Sequence, residues 1–174
     1  MAAIPDGIVL KRHRDLEGRQ KDAWIRRGLL VLIGIVPLLA LTNLFGQRPH
    51  LTTAASSAAD LELYAPGHLR GGLLWEARFT ITAHRDLKDA VLQLDKGWLE
   101  GMTVNTIEPS PIGEGSNDGK LVLDLGHVPA GQRHILFMQF QVNPTNVGRR
   151  PQDVRLYDGT TLLTTIDRRV TIFP

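Results

Sequence analysis

The sequence predicts an all-β domain, an antiparallel sandwich of two sheets, preceded by one N-terminal transmembrane helix. Three observations lead to this prediction. Residues 28–45 contain no charged side chain and no histidine, residues 75–84 alternate between apolar and polar, and short apolar runs between turn residues continue to the C-terminus. With 174 residues, the chain has room for one domain and an N-terminal extension.

The apolar segment at residues 28–45 has the length of a single membrane crossing. Its 18 residues extend about 27 Å as a helix, close to the roughly 30 Å of a hydrocarbon core. Twelve of them are Leu, Ile, Val or Phe, and each favours insertion by roughly 0.3 to 0.6 kcal/mol near the bilayer centre. Pro37 is expected to kink the helix, and Trp24 lies one turn before it, as an interfacial aromatic residue does.

The distribution of cations predicts the orientation of this anchor. Residues 1–27 contain seven Lys or Arg and four acidic residues, and end at Arg26 and Arg27, whereas Arg48 is the only cation in the twenty residues after the span. The positive-inside rule therefore predicts a plasma (inner) membrane protein with a cytoplasmic basic tail at 1–27 and an extracytoplasmic C-terminal part. The tail is expected to attract anionic lipids, with docking of a cytoplasmic protein as the alternative.

A cleaved signal peptide is the alternative to a retained anchor. Signal peptides have an apolar region of about 7 to 15 residues followed closely by small residues at the cleavage site. Here the apolar region is longer, and the first run of small residues begins only at Ala54. A retained signal anchor is therefore the prediction.

Residues 46–59 are predicted to be a flexible tether, because they are mostly small and polar and have no periodicity. The domain is predicted to occupy residues 60–174. Nine segments there are predicted to be strands, and Asp158-Gly159 marks a hairpin between two of them. They are Leu61–Tyr64, Trp75–His84, Ala90–Leu94, Met102–Ile107, Leu121–Leu125, Ile135–Val142, Val154–Tyr157, Thr161–Ile166 and Val170–Phe173.

The run from Leu121 to Pro144, LVLDLGHVPAGQRHILFMQFQVNP, resembles part of bacterial immunoglobulin-like repeat domains. In that family a short G-x-(apolar)-x-x-G turn, here Gly126–Gly131, joins two late strands, and the resemblance spans less than a quarter of the chain. It implies an immunoglobulin-like sandwich that acts as a spacer, an adhesion module or a protein-contact module. It assigns no binding residue.

Residues that carry chemistry are scattered, and the sequence predicts no enzyme, no metal site and no cofactor. The chain has no Cys, which excludes disulfides and thiolate sites. Its six histidines lack metal-ligand spacing, and no serine lies in a nucleophile elbow. Glu114–Gly119 begins like a calcium loop but lacks the ligands that such a loop needs, so a solvated hairpin is the prediction. Asp and Glu balance Lys and Arg after residue 46, which argues against a nucleic-acid partner.

Four residues of the domain are candidates for contact with a partner protein. Ile135 and Phe137 lie on the face of their strand opposite to Leu136 and Met138, so that face is either covered within the domain, which the sequence favours, or exposed for a partner. Arg149 and Arg150 form a basic pair suited to anionic headgroups or an acidic protein, or else belong to a surface of mixed charge.

The function expected from these features is that of an accessory or scaffolding subunit of a membrane assembly. It would be anchored in the lipid bilayer by one helix and would act through protein contacts of its extracytoplasmic domain. The alternative is a domain that binds a small molecule or metal and delivers it to a membrane partner, with His84, His127 and His134 as ligands. A third hypothesis is an enzyme whose site is assembled from turns without a local motif.

Overall fold

The computed structural model describes residues 20–41 and 47–174 of the chain. The chain forms two compact units, residues 1–44 and residues 45–174. The predicted tail up to residue 19 and the last four residues of the predicted span, 42–45, lie outside the described residues.

The described residues of the first unit form one helix, α1 (Gln20–Leu41), which contains Pro37. Its large apolar side chains are exposed on every face, with exposed fractions from 40% at Leu39 to 82% at Leu41. The guanidinium of Arg27 lies 5.5 Å from the ring centre of Trp24. Across residues 20–41 and 47–174, no helix is both long enough and apolar enough to cross a membrane.

Residues 47–174 form thirteen strands and one short 3₁₀ helix, Lys96–Trp98. The strands are β1 (Pro49–Ala55), β2 (Ala59–Pro66), β3 (His68–Arg70), β4 (Leu74–Ala83), β5 (Leu87–Leu94), β6 (Met102–Glu108), β7 (Gly113–Asn117), β8 (Lys120–Val128), β9 (Arg133–Val142), β10 (Gly148–Pro151), β11 (Val154–Asp158), β12 (Thr161–Ile166) and β13 (Arg169–Phe173).

These strands form two five-stranded antiparallel sheets and a smaller third one. The β4 sheet has the order β1-β2-β4-β9-β6, and the β5 sheet has the order β12-β11-β5-β8-β7. In the third sheet, β13 pairs with β10 antiparallel and with β3 parallel. Both large sheets contribute their inner faces to one hydrophobic core, so the predicted all-β sandwich is confirmed.

Aromatic side chains fill the middle of this core. Trp98, from the 3₁₀ helix, is fully buried, and its ring centre lies 5.4 to 5.6 Å from those of Trp75, Phe79 and Phe140. The guanidinium of Arg168 lies 5.4 Å from the Trp98 ring centre. Asp95 caps the 3₁₀ helix by accepting a hydrogen bond from the Lys96 N–H, which fixes the segment that delivers Trp98 to the core.

The predicted tether at residues 46–59 requires a correction, because β1 occupies Pro49–Ala55 and pairs with β2 over seven positions. The small polar residues after β1 close a hairpin. The Ser56 hydroxyl oxygen accepts hydrogen bonds from the N–H groups of Ala58 and Ala59, and the Ser56 N–H donates to the Ala59 carbonyl. A serine at this position stabilises the turn in place of the usual Gly or Pro. A segment with the composition of a linker therefore forms a turn here.

All nine predicted strands are present, and β1, β3, β7 and β10 were missed. The missed strands are short or lie at an edge, and most of their side chains are exposed, so they show no apolar periodicity. The predicted hairpin at Asp158-Gly159 joins β11 to β12, and the predicted hairpin at Glu114–Gly119 joins β7 to β8. Asp118 and Gly119 both have positive φ, as a two-residue hairpin turn requires.

Candidate functional site

The outer face of the β4 sheet carries a row of five residues, one from each strand. Leu51 pairs with Tyr64, Tyr64 with Arg78, Arg78 with Phe137, and Phe137 with Glu108. Side chains directly opposite each other in antiparallel strands lie on the same face within contact distance. We call these five residues, Leu51, Tyr64, Arg78, Phe137 and Glu108, the outer row.

Four apolar or aromatic side chains of this face are each more than a third exposed. The exposed fractions are 54% for Leu51, 40% for Tyr64, 39% for Phe137 and 38% for Ile135, which lies two residues before Phe137 on β9. Single exposed apolar residues are ordinary on protein surfaces, whereas a contiguous group on one sheet face is typical of a contact site.

Arg78 lies in the middle of the outer row with an aromatic residue on each flanking strand. Its guanidinium lies 5.0 Å from the ring centre of Tyr64, within the range of a cation–π interaction. This contact restrains a long side chain that is otherwise free to rotate, so less conformational entropy is lost when a partner binds it. Tyr and Arg are also the residue types most enriched among residues that dominate binding energy at protein interfaces.

The sequence places these residues outward because buried residues alternate along most of β2, β4 and β9, although the outward Thr80 of β4 is also buried. On β4 the inward residues from Trp75 to Ala83 are buried, and Arg78 is exposed between Ala77 and Phe79. On β9 the same alternation buries Leu136 and Met138 and leaves Ile135 and Phe137 outside. Register across the sheet then brings residues that are far apart in sequence into one row.

The interpretation that Ile135 and Phe137 are covered within the domain is wrong. β9 lies inside its sheet between β4 and β6, as that interpretation required, but only its inner face packs in the core. The two side chains remain more than a third exposed. A central strand has both edges hydrogen-bonded, yet its outer face is buried only where a further layer of structure covers it.

Arg149 and Arg150, the other two predicted contact residues, belong to β10 in the third sheet and not to the outer row. Arg149 is exposed. Arg150 donates from a terminal guanidinium nitrogen to the Asn146 side-chain oxygen at 3.2 Å, and its Nε lies 3.8 Å from a carboxylate oxygen of Glu100. The predicted set therefore divides between two places in the fold.

Arg168, the residue before β13, has an internal role. One guanidinium nitrogen donates to the Pro66 carbonyl at 2.7 Å, and the Arg168 N–H donates to the Asp153 carboxylate. Burial lowers the pKa of Arg168 to about 10, so it keeps its charge at neutral pH. Its cation–π contact with Trp98 joins the third sheet to the aromatic core.

The three histidines considered as ligands lie in different local environments. Nε2 of His84 is 3.0 Å from an Asp60 carboxylate oxygen, and Nε2 of His127 is 2.8 Å from an oxygen of Asp86. Nε2 of His134 is buried without a hydrogen-bond partner, and burial lowers the pKa of this residue. Within the part of the chain that the structure describes, no three His, Asp or Glu side chains are arranged to hold a metal ion.

The predicted anchor residues Trp24, Arg26, Arg27 and Pro37 all lie in α1. Trp24 is 70% exposed and packs against the Arg27 guanidinium. The two arginines are followed by an uncharged stretch that continues to the end of the helix at Leu41.

No family model matches this sequence, and no curated protein is similar to it. Among solved structures, the chain is similar to CaCohA2 from Clostridium acetobutylicum, with 14% identity and a TM-score of 0.45 over 68% of this chain and 92% of that one. It is also similar to a CARDB domain from Pyrococcus furiosus, with 11% identity and a TM-score of 0.40 over 73% of this chain and 97% of that one.

Four members of the outer row were missed by sequence reasoning: Leu51, Tyr64, Arg78 and Glu108. Leu51 lies in the predicted tether, Tyr64 and Arg78 lie in two separate predicted strands, and Glu108 lies one residue beyond the predicted strand Met102–Ile107. The alternation in residues 75–84 already places Arg78 on the outer face. The pairing of β4 with β2 and β9, which brings the row together, has no local signal in the sequence.

Proposed function

We propose that the protein is a single-pass accessory or scaffolding subunit of a membrane assembly, held in the plasma membrane by residues 28–45. The uncharged stretch, the cations before it and the exposed apolar side chains on all sides of α1 support this anchor, because a helix that is apolar all round needs an apolar surrounding. The excess of cations in residues 1–27 supports a cytoplasmic N-terminus and an extracytoplasmic domain.

The outer row, together with Ile135, is the surface that we propose for contact with the protein partner. The single observation that carries this part is the exposed Tyr64–Arg78–Phe137 arrangement across three neighbouring strands. A flat sheet face with aromatic anchors around one arginine suits a protein surface better than a small ligand, which needs a concave site.

Site-specific photo-crosslinking in the native membrane tests this proposal. With p-benzoylphenylalanine in place of Phe137, we expect one dominant crosslinked product containing another membrane or extracytoplasmic protein. The matched control has the same photoreactive residue in place of Leu162, which is 50% exposed on β12 of the β5 sheet. If both positions give the same products, or if the chain is purified alone and monomeric in mild detergent, the proposal fails.

The contribution of Arg78 to this contact is measured by substitution. We expect Arg78→Ala to weaken the captured complex roughly tenfold or more, as loss of a central interface residue does. Lys88→Ala is the control, because Lys88 is an exposed cation on β5 of the other large sheet. Equal weakening by the two substitutions would indicate a general charge effect and would exclude a specific role for the outer row.

A further inference from the structure

Two loops at one end of the β4 sheet lie side by side. Residues 71–73 join β3 to β4, and residues 143–147 join β9 to β10. The Gly72 N–H donates to the Val142 carbonyl at 2.9 Å, and a Cβ on Gly71 would lie 2.9 Å from the Pro144 carbonyl oxygen. Glycine is therefore required at 71 for the loops to approach. We call these two loops, with Leu74 at the start of β4, the paired loops.

The paired loops expose three apolar side chains, Leu73 and Val147 in the loops and Leu74 on the outward face of β4. Leu73 is 48% exposed, Leu74 is 52% exposed and Val147 is 47% exposed. Loops usually carry polar residues at their tips, where a leucine or valine gains nothing from water. Leu73, Leu74 and Val147 thus give this end of the β4 sheet three exposed apolar side chains beyond those of the outer row.

The two chain segments that form this surface contain cations but no acid, and the exposed Glu76 follows them on the outward face of β4. Residues 65–75 and 143–151 contain no acidic residue, and they contribute the exposed Arg70 and Arg149 beside the apolar side chains. Glu100 is nearby, but its carboxylate is directed at Arg150. Apolar side chains surrounded by cations match the interfacial region of a bilayer with anionic headgroups, into which leucine inserts while arginine contacts phosphate.

The start of the domain lies at the same end of the β4 sheet. Pro49, the first residue of β1, pairs with Pro66 at the end of β2, and Leu74 begins β4 opposite Gln141 near the end of β9. We infer that the paired loops rest on the bilayer surface, with Leu73, Leu74 and Val147 in the interface and Arg70 and Arg149 on anionic headgroups. This inference rests on the proposed membrane anchor and identifies the end of the domain that contacts lipid.

Fluorescence quenching in lipid nanodiscs tests this inference on the full-length chain. The protein contains no Cys, so Leu73→Cys gives one labelling position for an environment-sensitive fluorophore. In discs of anionic phospholipid with a spin-labelled acyl chain, we expect at least about twofold quenching at position 73. Ala130→Cys is the matched control, because Ala130 is exposed in the turn between β8 and β9, at the opposite end of the β4 sheet.

Charge dependence is measured in the same discs. We expect the quenching at position 73 to fall in neutral lipid, at high salt and in the Arg70→Gln/Arg149→Gln double variant, because screening or loss of the cations weakens their attraction to anionic headgroups. Equal quenching in neutral and anionic discs would overturn the role assigned to the two arginines.

The outcomes separate this inference from the proposed anchor. If the chain stays in the discs while position 73 is quenched no more than position 130, the paired loops do not contact lipid and the anchor remains. If the chain leaves the discs on washing at high salt, the anchor fails and the inference fails with it. If position 73 becomes shielded only when a second protein is added, the loops bind protein, and the inference is overturned.

Discussion

Phe137 and Phe140 lie on the same strand and have opposite surroundings. Phe140 is fully buried, and its ring centre is 4.6 Å from that of Trp75, whereas Phe137 is 39% exposed on the outer row. The strand conformation is the same for both, since alternation alone decides which face each residue occupies. Substituting each of the two in turn therefore separates the contribution of a phenylalanine to stability from its contribution to binding.

We expect Phe140→Ala to destabilise the domain by about 3 to 5 kcal/mol, because it removes buried apolar area and leaves a cavity among rings that cannot collapse onto it. Phe137→Ala should cost about 1 kcal/mol or less and should act on partner capture instead. Urea unfolding followed by tryptophan fluorescence measures both. A comparable loss of stability in the two variants would mean that Phe137 is covered after all.

His134 is expected to make stability depend on pH. Burial lowers its pKa, so the unfolded chain takes up this proton at a higher pH than the folded domain does. Stability should therefore fall as the pH drops through about 6.5, where an unfolded histidine titrates, and should continue to fall until the folded domain is protonated.

The measurement is the urea midpoint at about pH 7.5 and pH 5.5, on either side of the titration of an unfolded histidine. Between these two pH values, the His134→Gln variant should lose less stability than the unaltered protein, because the substitution removes one group whose protonation favours unfolding. His50→Gln, the same exchange at an exposed position of β1, is the matched control. A His134→Gln variant with the full original pH dependence would contradict the assignment.

At the scale of elements, the 3₁₀ helix Lys96–Trp98 is held against the third sheet by a backbone contact that only glycine permits. A Cβ on Gly97 would lie only 1.9 Å from the Pro151 carbonyl oxygen. The Gly97 carbonyl also accepts a hydrogen bond from the buried side-chain amide of Gln152. Displacement of this segment would move Trp98, and with it the centre of the aromatic core.

We expect Gly97→Ala to destabilise the domain by about 1 to 3 kcal/mol, the range for an added methyl group in a closely packed place. Gly115→Ala on the edge strand β7 is the matched control. A Cβ there meets nothing within 4 Å, so this variant should be as stable as the unaltered protein or slightly more stable. Thermal unfolding of both variants by circular dichroism checks the contrast, and an unaffected Gly97→Ala would show that the segment shifts freely.

The strands that the sequence predicted are those in which buried and exposed residues alternate with a period of two. β4 and β9 have alternating buried residues along almost their entire length, and both were located within one or two residues. β1 and β10 have mostly exposed side chains and owe their conformation to hydrogen bonds with a neighbouring strand. Such strands leave no apolar pattern in the sequence. Neither the strand within the predicted tether nor the outer row could be predicted from a local segment, because both depend on strand pairing, which is decided by the whole sheet.

At the scale of the whole molecule, the two units differ in how their apolar side chains are covered. Residues 47–174 enclose their own aromatic and aliphatic core. The apolar residues of α1, by contrast, are exposed on all sides in the part of the helix that the structure describes. The proposed membrane anchor would place these side chains in lipid, whereas the proposed contact surface lies on the domain.

The orientation of that anchor leads to the last prediction. Since the protein has no Cys, a single Thr160→Cys variant reports on the domain through the exposed turn between β11 and β12. In intact spheroplasts, a membrane-impermeant maleimide should label Thr160→Cys fully and should label Ala3→Cys, in the basic tail, only after permeabilisation. This follows from the cations that precede residue 28, which resist translocation.

The reverse pattern would place the domain in the cytoplasm, and mature protein beginning after Ala59 would show that the apolar segment is removed. Either result would require the outer row and the paired loops to serve a different compartment from the one proposed here.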